Sequence, residues 1–451
     1  MKKNLNNSKL TEGRIIPTLS KMTMQMAVGM IGMIGFNLID TFFIGRLGAD
    51  PLAAIGFTFP VVLGVNSIAL GMGIAASSII SRAIGRREFD EAARKTNDIL
   101  LFSFSTVVIL AAAGLLTINP LFTLLGAGND ILQLISRYMS IWYFGVPFVV
   151  IPMTGNNIIR ATGDAKTPAF IMLSSMTINA ILDPLFIFGL WHFPRMEIAG
   201  AALATVIARS VAMIITLLIL AKREHLLKPV KPVLSHFIET SKEMLYIGIP
   251  ASATRFILPL SMAIITRMLS SFGNYAVAGF GVATRIEMFA LLLVNSAGSI
   301  LAPFTGQNYG AGRFERIKKA VRFLDVSSII WGFLLLIIFI PFARPIASLF
   351  NDNPEITGIT AMYLLIISFT YGFQGILRLT VNAFNALNKP LHGASLSIFR
   401  MFIIYIPLAL ILKEYFSIRG IFIAGAIANI ISGITAYFFL LSTLNKLKES
   451  S

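Results

Sequence analysis

No cysteine occurs among the 451 residues, so neither a disulfide nor a thiolate metal site is available. Histidine is almost as scarce. The four, His192, His225, His236 and His392, include no two that stand three or four apart, which excludes a helical zinc pair. Charge is the third shortage: 13% of residues are charged, against roughly 25% in an ordinary globular domain, while 56% are hydrophobic and arrive in long runs. The solvent for such a chain is a bilayer. Acids are also fewer than bases, 21 against 37, leaving a net charge of +16. That excess could suggest nucleic acid, but the placement of the bases excludes it as a partner.

What is present is a series of apolar segments of membrane length. About 20 apolar residues cross a bilayer as a helix, because a helix satisfies its own backbone hydrogen bonds in hydrocarbon. The sequence predicts twelve such spans, near 15–45, 52–81, 97–119, 133–157, 168–191, 199–221, 245–270, 276–303, 321–343, 356–384, 392–413 and 418–443. Lys2, Lys3, Lys9 and Arg14 precede the first span, Arg82 to Lys95 follow the second, Lys222 to Lys242 the sixth, and Arg313 to Arg322 the eighth. The opposite connections hold only Arg46, Arg195, Arg344, Lys413 and Arg419. By the positive-inside rule both termini are cytoplasmic, and the polar start MKKNLNNSKLTEGR reads as a retained cytoplasmic tail. The expected location is the cell (inner) membrane, crossed by a monomer.

The chain repeats itself. GADPLAAIG at 48–56 returns as GNYAVAGFG at 273–281, and SRAIGRREFDEAARK at 81–95 parallels GQNYGAGRFERIKKA at 306–320; Gly48 and Gly85 recur 225 residues on as Gly273 and Gly310. GDAKTP at 163–168 resembles NALNKP at 385–390, and IAGAALATVIA at 198–208 resembles IRGIFIAGAIA at 418–428. Six spans per repeat is an even number, so the two halves are parallel repeats. The expected fold is an all-α polytopic membrane protein whose twelve transmembrane helices form two pseudo-symmetric six-helix lobes around a central cavity. Residues 1–221 form the first lobe, 222–243 a cytoplasmic linker, and 244–451 the second lobe.

Duplication makes the departures from symmetry informative. Asp40 and Asp183 lie within spans, where a carboxylate costs roughly 2.5 to 3.5 kcal/mol and marks an ion or substrate site. Their counterparts are Ile265 and Tyr405, so the acidic chemistry is expected in the first half alone. Asn179 and Asp183 are four apart and share a helical face, as do Asn37 and Asp40 three apart. Pro184 removes the hydrogen bond that the Ala180 carbonyl would accept. Thr205 adds a hydroxyl in the sixth span beside Ala201, Ala202 and Ala204, which permit close approach. Two carboxylates, an amide and a hydroxyl suit Na+ or a shared proton. Asn66, Asn156 and Asn295 read as interhelical glue, as do Asn37 and Asn157, which are also candidate neighbours of the cation site.

The runs NLIDTFFIGRLGADPLAAIG, SRAIGRREFDEA, RATGDAKTP with NAILDPLFIFG, and GQNYGAGRFERIKKA together resemble the multidrug and toxic compound extrusion (MATE) family, over nearly the whole chain. The resemblance implies alternating access between two lobes and efflux of small organic, amphiphilic and often cationic compounds in exchange for Na+ or H+, with no cofactor. In the branch similar to DinF the cation site lies in the first lobe, which assigns its roles to Asp40, Asn179, Asp183 and Thr205. Gln25 stands where some relatives carry a proline in the first helix, leaving Gly29, Gly32 and Gly35 as its soft points. The branch similar to NorM has acids in the seventh and tenth helices, and the bodies of those spans hold none here.

Arginines mark the second half instead. Arg267 and Arg378 read as snorkelling to headgroups or as partners of backbone carbonyls and Glu287, whereas Arg255 and Arg400, with Arg285 and Glu287, are candidates for lining a substrate cavity and holding an anionic group. A flippase for a lipid-linked saccharide would share the two-lobed plan and is the alternative reading. An enzyme is not expected, because no nucleophile or histidine-rich motif lies at a membrane face. Nor is a channel, since a one-sided site does not make a ring of ligands.

Overall fold

The computed structural model describes residues 9–228 and 233–449, so Lys2, Lys3 and Lys231 of the bases expected on the cytoplasmic side lie outside the described residues. The helices are α1 (Lys9–Glu12), α2 (Ile15–Gly45), α3 (Ala49–Gly85), α4 (Phe89–Leu124), α5 (Asn129–Ala161), α6 (Lys166–Phe188), α7 (Glu197–Lys222) and α8 (Leu234–Ser270). They continue as α9 (Asn274–Ala290), α10 (Leu292–Gly310), α11 (Phe314–Ser348), α12 (Pro354–Ser368), α13 (Tyr371–Ala386), α14 (Pro390–Ile398), a π-helical stretch (Phe399–Tyr405) and α15 (Ile406–Glu449). No strand occurs among the described residues.

These elements give twelve spans. Helices α2 to α8 and α11 are each long and apolar enough to cross a bilayer, and two bent pairs, α9 with α10 at 49° and α12 with α13 at 62°, are broken spans. The 60-residue run Pro390–Glu449 would extend about 90 Å if straight, three times the hydrocarbon thickness of about 30 Å. It reverses at Ser417, whose φ is 52°. A Cβ on Gly420 would strike the Leu412 carbonyl oxygen, eight residues earlier, which only a turned chain brings so near. The run is therefore two spans.

The repeat is visible in the backbone. Gly48 and Gly273 precede α3 and α9 with φ of 123° and 102°, and Gly85 and Gly310 end α3 and α10. Arg87 and Gly312, also 225 apart, both take a left-handed conformation, at 64° and 67°. An arginine holds strained geometry that its counterpart glycine adopts freely.

Two compact units result. One comprises Gln25–Ser252; the other comprises Leu10–Met24 and the chain from Ala253 onward. Helix α2 is thus shared out: its start belongs with the second unit and the remainder with the first. In the second unit, Asn308 Nδ2 donates to the Leu10 carbonyl at 3.1 Å and an Arg316 nitrogen to the Gly13 carbonyl at 2.7 Å, fixing α1. In the first unit, residues at the described ends of the expected 222–243 linker pair with α4, and Glu243 also with Arg82 of α3 at 3.8 Å. Lys228 Nζ pairs with Asp90 at 2.7 Å, and Lys95 Nζ with Glu243 at 2.7 Å and Glu91 at 3.2 Å.

Candidate cation site

Two seams in the first unit bring the expected residues together. Helices α2 and α6 run parallel at van der Waals distance: a Cβ on Gly29 would lie 2.8 Å from Ala169 Cα, one on Gly32 3.3 Å from Leu173 Cα, and one on Gly35 2.6 Å from Met176 Sδ. Continuing that register by five residues sets Asp40 beside the turn that carries Asp183. Helices α6 and α7 run antiparallel, with Ser175 Oγ donating to the Ala208 carbonyl at 3.4 Å and Met196 N to the Phe186 carbonyl at 2.9 Å. Between those contacts, Asn179 and Asp183 face the stretch of α7 that bears Thr205.

The side chains complete the arrangement. Asn179 and Asp183 have no exposed surface, and Asn179 Nδ2 donates to Asp183 Oδ1 at 2.9 Å. Asp40 is half-buried and lies within reach of the Asp183 charge. Thr205 is buried. Asp40 Oδ1, Asn179 Oδ1 and Asp183 Oδ2 are buried oxygens without a hydrogen-bond partner. Three unsatisfied acceptors on adjoining helices, two of them carboxylate oxygens, are groups that a hard cation or a proton would satisfy.

Two further residues border it that the sequence reading passed over. Arg209, one turn beyond Thr205, lies within electrostatic reach of Asp40, and its guanidinium stacks over Phe36 at 4.3 Å from the ring centre. Tyr138 on α5 is buried and senses both acids. Arg209 had a signal: it is the one base in the body of the sixth span, four residues from Thr205. Tyr138 had a fainter one, being 225 residues before Tyr363.

The two asparagines expected beside the site are not part of it. Asn37 is exposed. Asn157 lies 19 residues beyond Tyr138 on the same helix, about 28 Å along it. Its Nδ2 donates to the Met153 carbonyl at 2.8 Å, and its Oδ1 accepts from Arg160. A cation at Asp183 is out of its reach.

The second half corrects one expectation and narrows another. Asp325 on α11 is buried with neither carboxylate oxygen partnered, so buried acids are not confined to the first half. Arg378 does not snorkel: its Nη1 donates to Asn295 Oδ1 at 2.6 Å inside the bundle, whereas Arg267 is exposed. Glu287 accepts from Tyr363 Oη and from Gln374 Nε2, the latter at 3.1 Å. Arg400 is half-buried near Arg378 and Glu287; Arg255 is exposed but senses Arg378; Arg285 is exposed and joins none of them.

The MatE family model matches residues 26–185 and 250–411, one stretch in each half. The chain belongs to the MATE family. It is accordingly a polytopic membrane transporter and not an enzyme. It is 37% identical over 420 residues to a protein of Shewanella oneidensis named FAD transporter, covering 93% of each chain. It is 27% identical to the probable multidrug resistance protein YoeA of Bacillus subtilis, over 94% of this chain and 91% of that one. Among solved structures, the Vibrio cholerae MATE transporter VcmN in the bent form superposes with a TM-score of 0.91 at 30% identity, covering 96% of this chain and 98% of that one. These likenesses are to two-lobed transporters of twelve transmembrane helices.

Proposed function

We propose that this MATE protein exports a small organic cargo by antiport, with Na+ or H+ as the coupling ion bound in the first unit at Asp40, Asn179, Asp183 and Thr205. The observation that carries this reading is the set of three unpartnered oxygens, Asp40 Oδ1, Asn179 Oδ1 and Asp183 Oδ2. An arriving cation supplies what those oxygens lack and cancels the mutual repulsion of the acids. Arg209 sets the counterweight: its charge partly compensates Asp40, so the ion is held without being trapped. Binding of ion and cargo must oppose each other in a given conformation for exchange to result.

The names of the relatives support a small organic cargo, a flavin dinucleotide in one case and drugs in another. Reconstituted into liposomes, the wild-type protein should move cargo against an imposed gradient of one of the two ions. Asp40→Asn and Asp183→Asn should each reduce that movement to the level of empty liposomes while preserving the elution profile of the folded protein. Gradient-driven export that persists in both variants would remove the assignment.

A further inference from the structure

We propose that the second unit holds an anion site for a phosphate group of the cargo, built from Arg378 and Arg400 with Arg255. The proposal rests on the antiport reading only for the word cargo; its geometry is independent. Tyr138, which senses Asp40 and Asp183, has Tyr363 as its counterpart 225 residues on, and Tyr363 donates to Glu287. Asn179 and Asp183 have Met401 and Tyr405 as counterparts, in the π-helical stretch that also carries Arg400. Arg400 itself has Ile178 as its counterpart, so the second half is basic where the first is apolar.

Three interrupted spans converge there. Glu287 lies one turn before the break between α9 and α10, while Gln374 and Arg378 follow the break between α12 and α13. Arg400 sits in the π-helical stretch between α14 and α15. Broken membrane helices and π-helical turns are where backbone regularity yields to a ligand. Trp331 Nε1 satisfies the Ala290 carbonyl at the first break, at 2.8 Å.

Charge sets the class of ligand. Arg378 and Arg400 lie near one carboxylate, Glu287, and Arg255 lies near Arg378; that carboxylate is occupied by Tyr363 and Gln374. Among the described residues, Arg400 and Arg255 have no hydrogen-bond or ion-pair partner, and Arg400 Nε is a buried donor left unsatisfied. An uncompensated guanidinium within a membrane span calls for an anion, and its planar fork matches two oxygens of a phosphate. Glu287 holds Tyr363 and Gln374 in place and, as a like charge, limits the grip on the anion. The cargo class is therefore an organic phosphate, not an organic cation.

The test uses two flavins that differ in phosphate. Binding of FMN and of riboflavin to the full chain in nanodiscs of neutral phosphatidylcholine is measured by quenching of flavin fluorescence. FMN should bind at least about tenfold tighter than riboflavin, a difference of about 1.4 kcal/mol. Arg400→Gln should abolish that preference and leave riboflavin binding in place, while Arg400→Lys should retain part of it. Equal binding of the two flavins by wild-type protein, or an FMN preference unchanged in Arg400→Gln, overturns the proposal. So does competitive loss of FMN in phosphatidylglycerol nanodiscs, which would assign the site to a lipid headgroup. Because binding is read without a gradient, these outcomes are separate from those of Asp40→Asn and Asp183→Asn.

Discussion

A carboxylate in this molecule is defined by what answers it. At the cation site Asp183 has only Asn179 for one oxygen, and Asp40 shares the field of Arg209 without a hydrogen bond to it. At the water-facing end of the same helices Asp164 is fully answered. Its Oδ1 accepts from Thr167 N at 3.1 Å, while Oδ2 accepts from Thr167 Oγ1 at 2.6 Å and from Arg223 Nη2 at 2.5 Å. Burial pushes the Asp164 carboxyl up, but the Thr167 hydrogen bonds and the Arg223 guanidinium outweigh it and hold the group below its ordinary value of 3.8. A lowered folded value means stability that is present above the ordinary range and lost as pH falls through the folded value. In neutral detergent solution wild-type protein should therefore melt higher than Asp164→Asn, and the gap should close on acidification below 3.8. A gap that stays constant or widens in acid would show that this latch between α6 and α7 is not ionic.

At the scale of elements, the cation site depends on how near α2 comes to α6. Glycines at 29 and 32 let the two backbones touch, and with no water to drive helices together such contact is the main attraction between them. Gly32→Val should force the helices apart at Leu173, at a cost of about 1–3 kcal/mol, and misplace Asp40 relative to Asp183. The expected readouts are a lowered melting temperature and weakened export. Gly45→Ala, with nothing within 4 Å of its added carbon, should change neither. If Gly32→Val behaves like Gly45→Ala, the seam does not position the site. The spans themselves were legible in the sequence, because a run of apolar residues of membrane length has few other uses. Asp40, Asn179, Asp183 and Thr205 were legible because polar groups stand out against such runs. Arg378 was left between two readings and Arg209 overlooked for one reason: the depth and partner of a long side chain depend on which helices pack, which α13 with Asn295 and α7 with Phe36 decide. Asn157 misled in the opposite direction, since nothing in its neighbours announces that Arg160 occupies its oxygen.

For the molecule as a whole, duplication supplies the plan and the charges supply the orientation. Each half carries a positive-φ glycine after its first span, Gly48 and Gly273, in a connection where bases are few. On the other side the basic loops are partly neutralised, as by Glu243 on Lys95 and by Glu315 on Lys448. That pairing does not weaken the orienting signal, because insertion responds to Lys and Arg near span ends and hardly to Asp and Glu. Twelve spans with the bases inward lead to the prediction that both chain ends are cytoplasmic. A green fluorescent protein fused after Glu449 should therefore fluoresce in a Gram-negative host, while alkaline phosphatase at that position stays inactive. Inserted after Asp352, in the turn between α11 and α12, the two reporters should exchange behaviour. The reverse pattern at both positions would invert the protein in the membrane, and with it the side from which the coupling ion enters.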